Sequence, residues 1–267
     1  MFYDTHAHLD FPDFAAELPE VVARAQAAGI TRILTIGTDL ESSRRAVQLS
    51  QRFEGVYAAV GWHPNDAREA PDDVRPGLRE LIGHPKVVAI GEIGLDYYRL
   101  PSRQEGGTEE QDGELKRKQA VVFEQQLELA AEAGLNCVIH QRASLEDTLR
   151  QMEPWQGKLR GQFHCFGDGP EAMRRVLALG SVVSFTGILT FKNGQNIRDT
   201  LAATPEGQFM LETDCPFLAP LPYRGKRCEP AHVKEIATHA AELRGCSLEE
   251  LGRQTCRTAH DFFPRLR

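Results

Sequence analysis

Short apolar, β-branched runs alternate with longer amphipathic stretches along the whole chain. The runs at residues 2–5, 32–36, 56–60, 87–90, 137–139, 161–164, 182–185 and 208–211 read as eight strands. Between them, apolar positions recur at helical spacing over 18–28, 42–52, 120–133, 170–178 and 197–203. Strands that alternate with helices pair in parallel through right-handed crossovers. Eight such repeats predict an α/β chain closed into one (β/α)8 TIM barrel rather than an open sheet. A doubly wound sheet would carry a glycine-rich phosphate loop after its first strand, and here that strand runs into Thr5-His6-Ala7-His8. No stretch reads as a linker, so residues 1–267 are expected to form one domain. Residues 230–243 and 247–263 read as helices that close the barrel, with Ser247 and Glu250 spaced for a capping box. The stretch 100–114, rich in Gly, Glu and Gln, has two readings: a solvated loop, or a lid at the strand end where barrel active sites are built.

Composition narrows this picture little. The chain is 41% hydrophobic and 26% charged, which suits a globular protein with a sizeable core. No apolar run reaches the ~18 residues a membrane span needs, and no basic-then-apolar leader precedes Asp4, so a cytoplasmic location is expected. The six cysteines form no CxxC pair and read as reduced, mostly buried thiols. The net charge of −7 speaks against a broad basic footprint on nucleic acid. It leaves open an enzyme that engages a few nucleotides at one end.

The chemistry gathers at the strand ends. In an extended strand alternate residues share a face, so His6 and His8 point the same way and can chelate one cation. Glu92, His140, His164 and Asp214 each end or follow an apolar run of their own. In a barrel those ends converge on one mouth, and burying such groups without a partner is costly. Four histidines and two carboxylates suit zinc, manganese or a similar divalent ion better than magnesium. The set exceeds what one catalytic zinc uses, so two bridged divalent cations are expected.

Longer motifs run nearly end to end: Asp4-Thr5-His6-Ala7-His8-Leu9-Asp10, Gly61-Trp62-His63-Pro64, Gly91-Glu92-Ile93-Gly94-Leu95-Asp96-Tyr97-Tyr98, His140-Gln141-Arg142, His164-Cys165-Phe166 and Glu212-Thr213-Asp214-Cys215-Pro216. In these the chain resembles the TatD family of metal-dependent DNases, within the amidohydrolase-like barrels of distorted TIM architecture. The resemblance implies one ion held by His6, His8, Glu92 and Asp214, and a second by Glu92, His140 and His164, with Glu92 bridging. Cys215, Cys228 and a long 100–114 segment depart from the family's pattern without touching those ligands.

The resemblance implies hydrolysis of phosphate esters, with single-stranded DNA or RNA as substrate and 3′-to-5′ removal of nucleotides. A water of lowered pKa would attack phosphorus in line, with Asp214 as general base and Glu92 shared between the ions. His63 either contacts substrate phosphate or supports a ligand. Arg224 and Lys226, with Arg227, form either a phosphate clamp or a surface turn shaped by Gly225. Asp4 is expected to orient a ligand or cap a turn. Trp62, Tyr97 and Tyr98 either stack a base or pack the mouth, and His84, His232, His239 and His260 are expected to be structural. Two rival functions share the sequence: an ester or amide hydrolase such as an aminoacyl-tRNA deacylase, and a metal-stabilised binding protein without turnover. Glu92 stands where a carbamylated lysine would favour the first, and an intact ligand set with Asp214 disfavours the second.

Overall fold

The computed structural model describes residues 1–103 and 106–267. Eight strands, β1 (Phe2–Ala7), β2 (Ile30–Ile36), β3 (Val56–Val60), β4 (Val87–Asp96), β5 (Asn136–Arg142), β6 (Gly161–Phe163), β7 (Val182–Phe185) and β8 (Phe209–Leu211), form one parallel sheet in sequential order. The helices α1 (Leu18–Ala27), α2 (Leu40–Arg52), α3 (Arg75–Ile82), α4 (Glu109–Ala133), α5 (Leu145–Met152), α6 (Pro170–Ala178), α7 (Gln195–Ala203), α8 (Val233–Arg244) and α9 (Leu248–Phe262) follow in turn. This is the TIM barrel that the alternating pattern predicts.

The barrel closes at its mouth through the chain just past β8. The Asp214 N–H donates to the His6 carbonyl at 2.9 Å, and the His8 N–H donates to the Cys215 carbonyl at 2.9 Å. The buried Asp4 carboxylate fastens the same seam, accepting from the Thr213 N–H (2.9 Å) and hydroxyl (2.6 Å). Burial pushes its carboxyl up to about 8 against these hydrogen bonds. The seam therefore joins three candidate ligands, His6, His8 and Asp214, through backbone contacts.

The opposite end is plugged. Phe262, Phe263 and Leu266 pack with Leu34, Ile36, Val88 and Val138 inside the barrel. The Arg265 guanidinium donates to the Val87 carbonyl at 3.2 Å, and the Asn136 amide donates to the Phe262 carbonyl at 2.5 Å. A second apolar layer, including Val56, Ile90, Phe123 and Ile139, lies among the residues packed around the strands.

Three sequence expectations need correction. β4 and β5 run to Asp96 and Arg142, past the predicted ends at 90 and 139, because Gly94 and its neighbours continue the ladder with His140, Gln141 and Arg142. Gly94 has φ +135°, and a Cβ there would lie 2.1 Å from the His140 carbonyl oxygen, so only glycine lets the two strands run this close. Helix α4 starts at Glu109, eleven residues before the pattern predicts, so the last part of the 100–114 stretch is helix rather than loop. Thr108 and Gln111 form a reciprocal capping box that overrides the polar composition, a cap typically worth about 1 kcal/mol. The loop and lid readings fall partly on residues 104 and 105, outside the described residues. At α9 the Ser247 hydroxyl accepts from the Glu250 N–H at 3.1 Å, which is one half of the expected box.

All six cysteines are free. Among the described residues no helix is long and apolar enough to cross a membrane.

Candidate metal centre

The six strand-end residues meet at the barrel mouth around Glu92. Its two carboxylate oxygens face different partners. Glu92 Oε2 lies 3.4 Å from His6 Nε2 and 3.9 Å from His8 Nε2. Asp214 Oδ1 completes this group, 3.7 Å from His6 Nε2 and 3.4 Å from His8 Nε2, and the two imidazole nitrogens are 3.3 Å apart. Glu92 Oε1 lies 2.7 Å from both His140 Nδ1 and His164 Nε2, which are 3.4 Å apart.

These separations test whether a cation fits. Tetrahedral ligands about 2.1 Å from a zinc-like ion stand roughly 3.4 Å from one another. His6, His8 and Asp214 stand 3.3–3.7 Å from one another, so an ion at their centre meets these three donors with little movement, and Glu92 Oε2 lies 3.4–3.9 Å from the two imidazole nitrogens. The second group is tighter at the carboxylate, as expected of hydrogen bonds that a cation would replace.

His63 also enters the second group, with Nε2 3.3 Å from Glu92 Oε1 and 3.3 Å from His140 Nδ1. Its other nitrogen decides its role. The Asn65 N–H donates to His63 Nδ1 at 3.0 Å, so the neutral ring carries its hydrogen on Nε2. Burial lowers the pKa of His63 and keeps it neutral. It therefore aims an N–H donor into the site, which is the geometry for contacting an anionic oxygen. His140 is set the opposite way: its Nε2 donates to Asp96 Oδ2 at 3.0 Å, leaving Nδ1 for the site.

The electrostatics follow from burial opposed by charge. For Glu92 burial favours the neutral acid, but the imidazoles of His164, His63 and His140 outweigh it and hold the carboxyl well below its usual range. Asp214 is likewise lowered, burial being overcome by the hydrogen bond with His8 and the charge of His6. Burial would lower His140, yet its contacts with Asp96 and Glu92 raise it to about 9. His6 is pushed down to about 4 by burial and by His164 beside it.

Asp214 adopts φ 57°, a left-handed conformation that costs a non-glycine residue of order 1–3 kcal/mol and that aspartate tolerates better than most. The seam with β1 holds it there. Behind the stacked rings of His6 and His164, whose centroids are 3.9 Å apart, lies the fully buried Glu212. It accepts from the Cys165 N–H at 2.5 Å and the Gln162 amide at 2.8 Å, and sits 3.7 Å from His164 Nδ1.

Sequence reasoning gave no role to Asp96 or Glu212. The signal for Asp96 was present, since period-two alternation puts Glu92, Gly94 and Asp96 on one face of β4. Asparagine at Asp96 leaves His140 Nε2 without its anionic partner. Such second partners are worth about 10–100-fold in metal affinity. Titration of the D96N variant by calorimetry is expected to show that loss, and an unchanged affinity would remove Asp96 from this role.

The site opens into a cleft of about 780 Å³, lined by His8, His63, Glu92, His140, His164 and Asp214 among others. Arg224 and Lys226 are not in that lining. The Arg224 guanidinium lies 3.7 Å over the Phe191 ring, and Arg227 pairs with Glu17 at 2.6 Å. Trp62 donates its indole N–H to the Asp66 carbonyl and Tyr97 donates its hydroxyl to Asp147, so both pack, whereas Tyr98 is exposed. His232 stacks on Tyr223 and shares a cap with Glu229.

A barrel whose mouth gathers imidazoles and carboxylates at cation-binding separations, open to a cleft, defines a metal-dependent hydrolase. The chain belongs to the family described as TatD related DNase, whose model matches residues 3–264. It is 37% identical over 264 residues to the uncharacterized metal-dependent hydrolase YabD of Bacillus subtilis, covering 98% of this chain and 99% of that one. It is 34% identical over 253 residues to the 3′-5′ ssDNA/RNA exonuclease TatD of Cronobacter sakazakii, covering 91% and 90%. The crystal structure of YjjV, a TatD homologue from Escherichia coli K12, superposes with a TM-score of 0.88 at 25% identity, covering 98% of both chains.

Proposed function

We propose that residues 1–267 work as one barrel domain that binds two divalent cations and hydrolyses phosphodiester bonds in single-stranded nucleic acid, removing nucleotides from the 3′ end. The observation that carries this reading is the division of Glu92, one oxygen toward His6, His8 and Asp214, the other toward His140 and His164. A relative named as a 3′-5′ ssDNA/RNA exonuclease over nine-tenths of the chain supports the substrate. The imidazole-rich donor set suits zinc or manganese better than magnesium.

Cations in such a pair lower the pKa of a water and neutralise charge on phosphoryl oxygens. The protein's own groups do the rest. Asp214 stays ionised at neutral pH and lines the cleft, so its carboxylate accepts the proton of the attacking water. His63 Nε2–H donates to a phosphoryl oxygen and fixes its orientation. Arg224 and Lys226, outside the cleft lining, contact phosphate only if the strand continues over the rim.

The test is end-labelled single- and double-stranded DNA and RNA, with chelated protein reloaded with Mg, Mn or Zn. EDTA is expected to abolish cleavage and Mn or Zn to restore it, with a ladder shortening from the 3′ end of single strands. Reloading is also expected to raise Tm, since a ligand at 100 times its Kd stabilises by about 2.7 kcal/mol. Turnover confined to an aminoacyl ester would make the protein an acyl hydrolase. A rise in Tm with no turnover of either would make it a binding protein.

A further inference from the structure

Two arginines, Arg99 and Arg142, stand in the lining of the catalytic cleft. Around them the cleft is acidic, with Asp66, Asp96 and Asp168 beside the metal-site carboxylates. Neither arginine makes an ion pair among the described residues, whereas many others on the surface do, such as Arg24 with Glu229 and Arg175 with Glu146. Two guanidinium groups with no carboxylate partner among the described residues, set in the lining of an otherwise acidic cleft, can take an anion supplied from outside.

Their backbones are tied to the donor set through Asp96. Asp96 Oδ2 accepts from His140 Nε2, and Asp96 Oδ1 accepts from the backbone N–H of Tyr98 (2.8 Å) and Arg99 (3.2 Å). One carboxylate thus ties the His140 ring to the backbone that carries Arg99. Arg142 is two residues beyond His140 on β5, directly opposite Asp96, and its carbonyl accepts from the Tyr97 N–H at 2.8 Å. Its guanidinium lies 3.8 Å over the Tyr98 ring. Tyr98 is 51% exposed, a large aromatic held at the surface by this stack. Stacking orders the guanidinium plane while leaving its N–H edge free for a bidentate contact.

We infer that Arg99 and Arg142, with Arg142 braced on Tyr98, form a second anion site that grips a phosphate of the substrate strand other than the one being cleaved. This inference rests on the phosphodiesterase reading and deepens it. A site for a neighbouring phosphate selects a polynucleotide over a lone phosphate ester and sets the strand's register against the metal centre. It would also let a chain of net charge −7 hold a polyanion at a few fixed points.

The test uses single-stranded DNA oligonucleotides carrying one uncharged methylphosphonate linkage at the first, second or third position from the scissile bond. With wild-type protein, one of these neutral linkages is expected to lower kcat/KM by about tenfold, the size of a lost charge-assisted contact. With R142A or R99A the unmodified strand is expected to fall by a similar factor, and the same neutral linkage to cost nothing more. The two losses share one contact and so do not add. The slope of log(kcat/KM) against log salt is expected to flatten by about 0.7 in each variant. R142K is expected to recover part of the loss, since it keeps the charge without the planar fork. Penalties that add, or no sensitive linkage in the wild type, would overturn the inference. Failure of wild-type protein to cut the unmodified strand would instead overturn the phosphodiesterase reading itself.

Discussion

Asparagine at Asp214 is expected to lower kcat by about 1000-fold while leaving the barrel folded, the scale at which removing a general base acts. The substitution is chosen for what it preserves. Asp214 sits at φ 57°, and asparagine is among the few residues that accept this conformation, so the seam with His6 need not move. The amide oxygen still reaches the His6 and His8 group, but it is neutral and cannot take up a proton. Three measurements separate the roles: kcat on a single-stranded oligonucleotide, bound metal by elemental analysis, and Tm after chelation. The expected results are lost turnover, weakened occupancy of the first donor group, and a Tm after chelation within a few degrees of wild type. Near-normal kcat in fully metal-loaded D214N would remove Asp214 as the base.

Glutamine at Glu92 is expected to do more than any other single change, because both donor groups use this one carboxylate. Loss of His8 depletes one group, whereas glutamine at position 92 turns one shared oxygen into an amide nitrogen and takes the negative charge away from both groups. Bound metal is expected to fall from two per chain to less than one, and turnover below detection. The same variant changes acid stability in a defined direction. The folded carboxyl is held well below its unfolded value of 4.5, burial being outweighed by His164, His63 and His140. Its contribution to stability is therefore present above about pH 4.5 and is lost as pH falls below it. Chelated E92Q is expected to be less stable than wild type at pH 7, with the difference closing as pH drops toward 3. A gap that widens with acid would contradict the charge arrangement.

Much of this was legible in the chain because a barrel converts sequence periodicity into position. His6 and His8 share a strand face by period two, and Glu92, His140, His164 and Asp214 each end a strand, so the mouth follows once eight strands are read. What escaped was set by contacts between elements. The extension of β4 to Asp96 depends on glycine at position 94 meeting the His140 carbonyl, which no local pattern records. The short helices α3 and α5, eight residues each, gave too few turns to stand out. The tautomer of His63 depends on the Asn65 N–H, a turn hydrogen bond that residue type alone does not specify. The basic run Arg224 to Arg227 reads in sequence as either a phosphate clamp or a surface turn; Arg224 and Lys226 lie outside the cleft lining, and Arg227 pairs with Glu17. The arginines that line the cleft, Arg99 and Arg142, are far apart in sequence and adjacent only through Asp96 and the β4–β5 ladder.

If Glu92 is shared, one oxygen to each of two cations, anomalous diffraction from crystals grown with manganese will show it. Two peaks are expected at the barrel mouth, one among His6, His8, Asp214 and Glu92 Oε2, the other among His140, His164 and Glu92 Oε1. A single peak in manganese-saturated crystals, or two peaks that do not share Glu92, would overturn the sharing of this carboxylate.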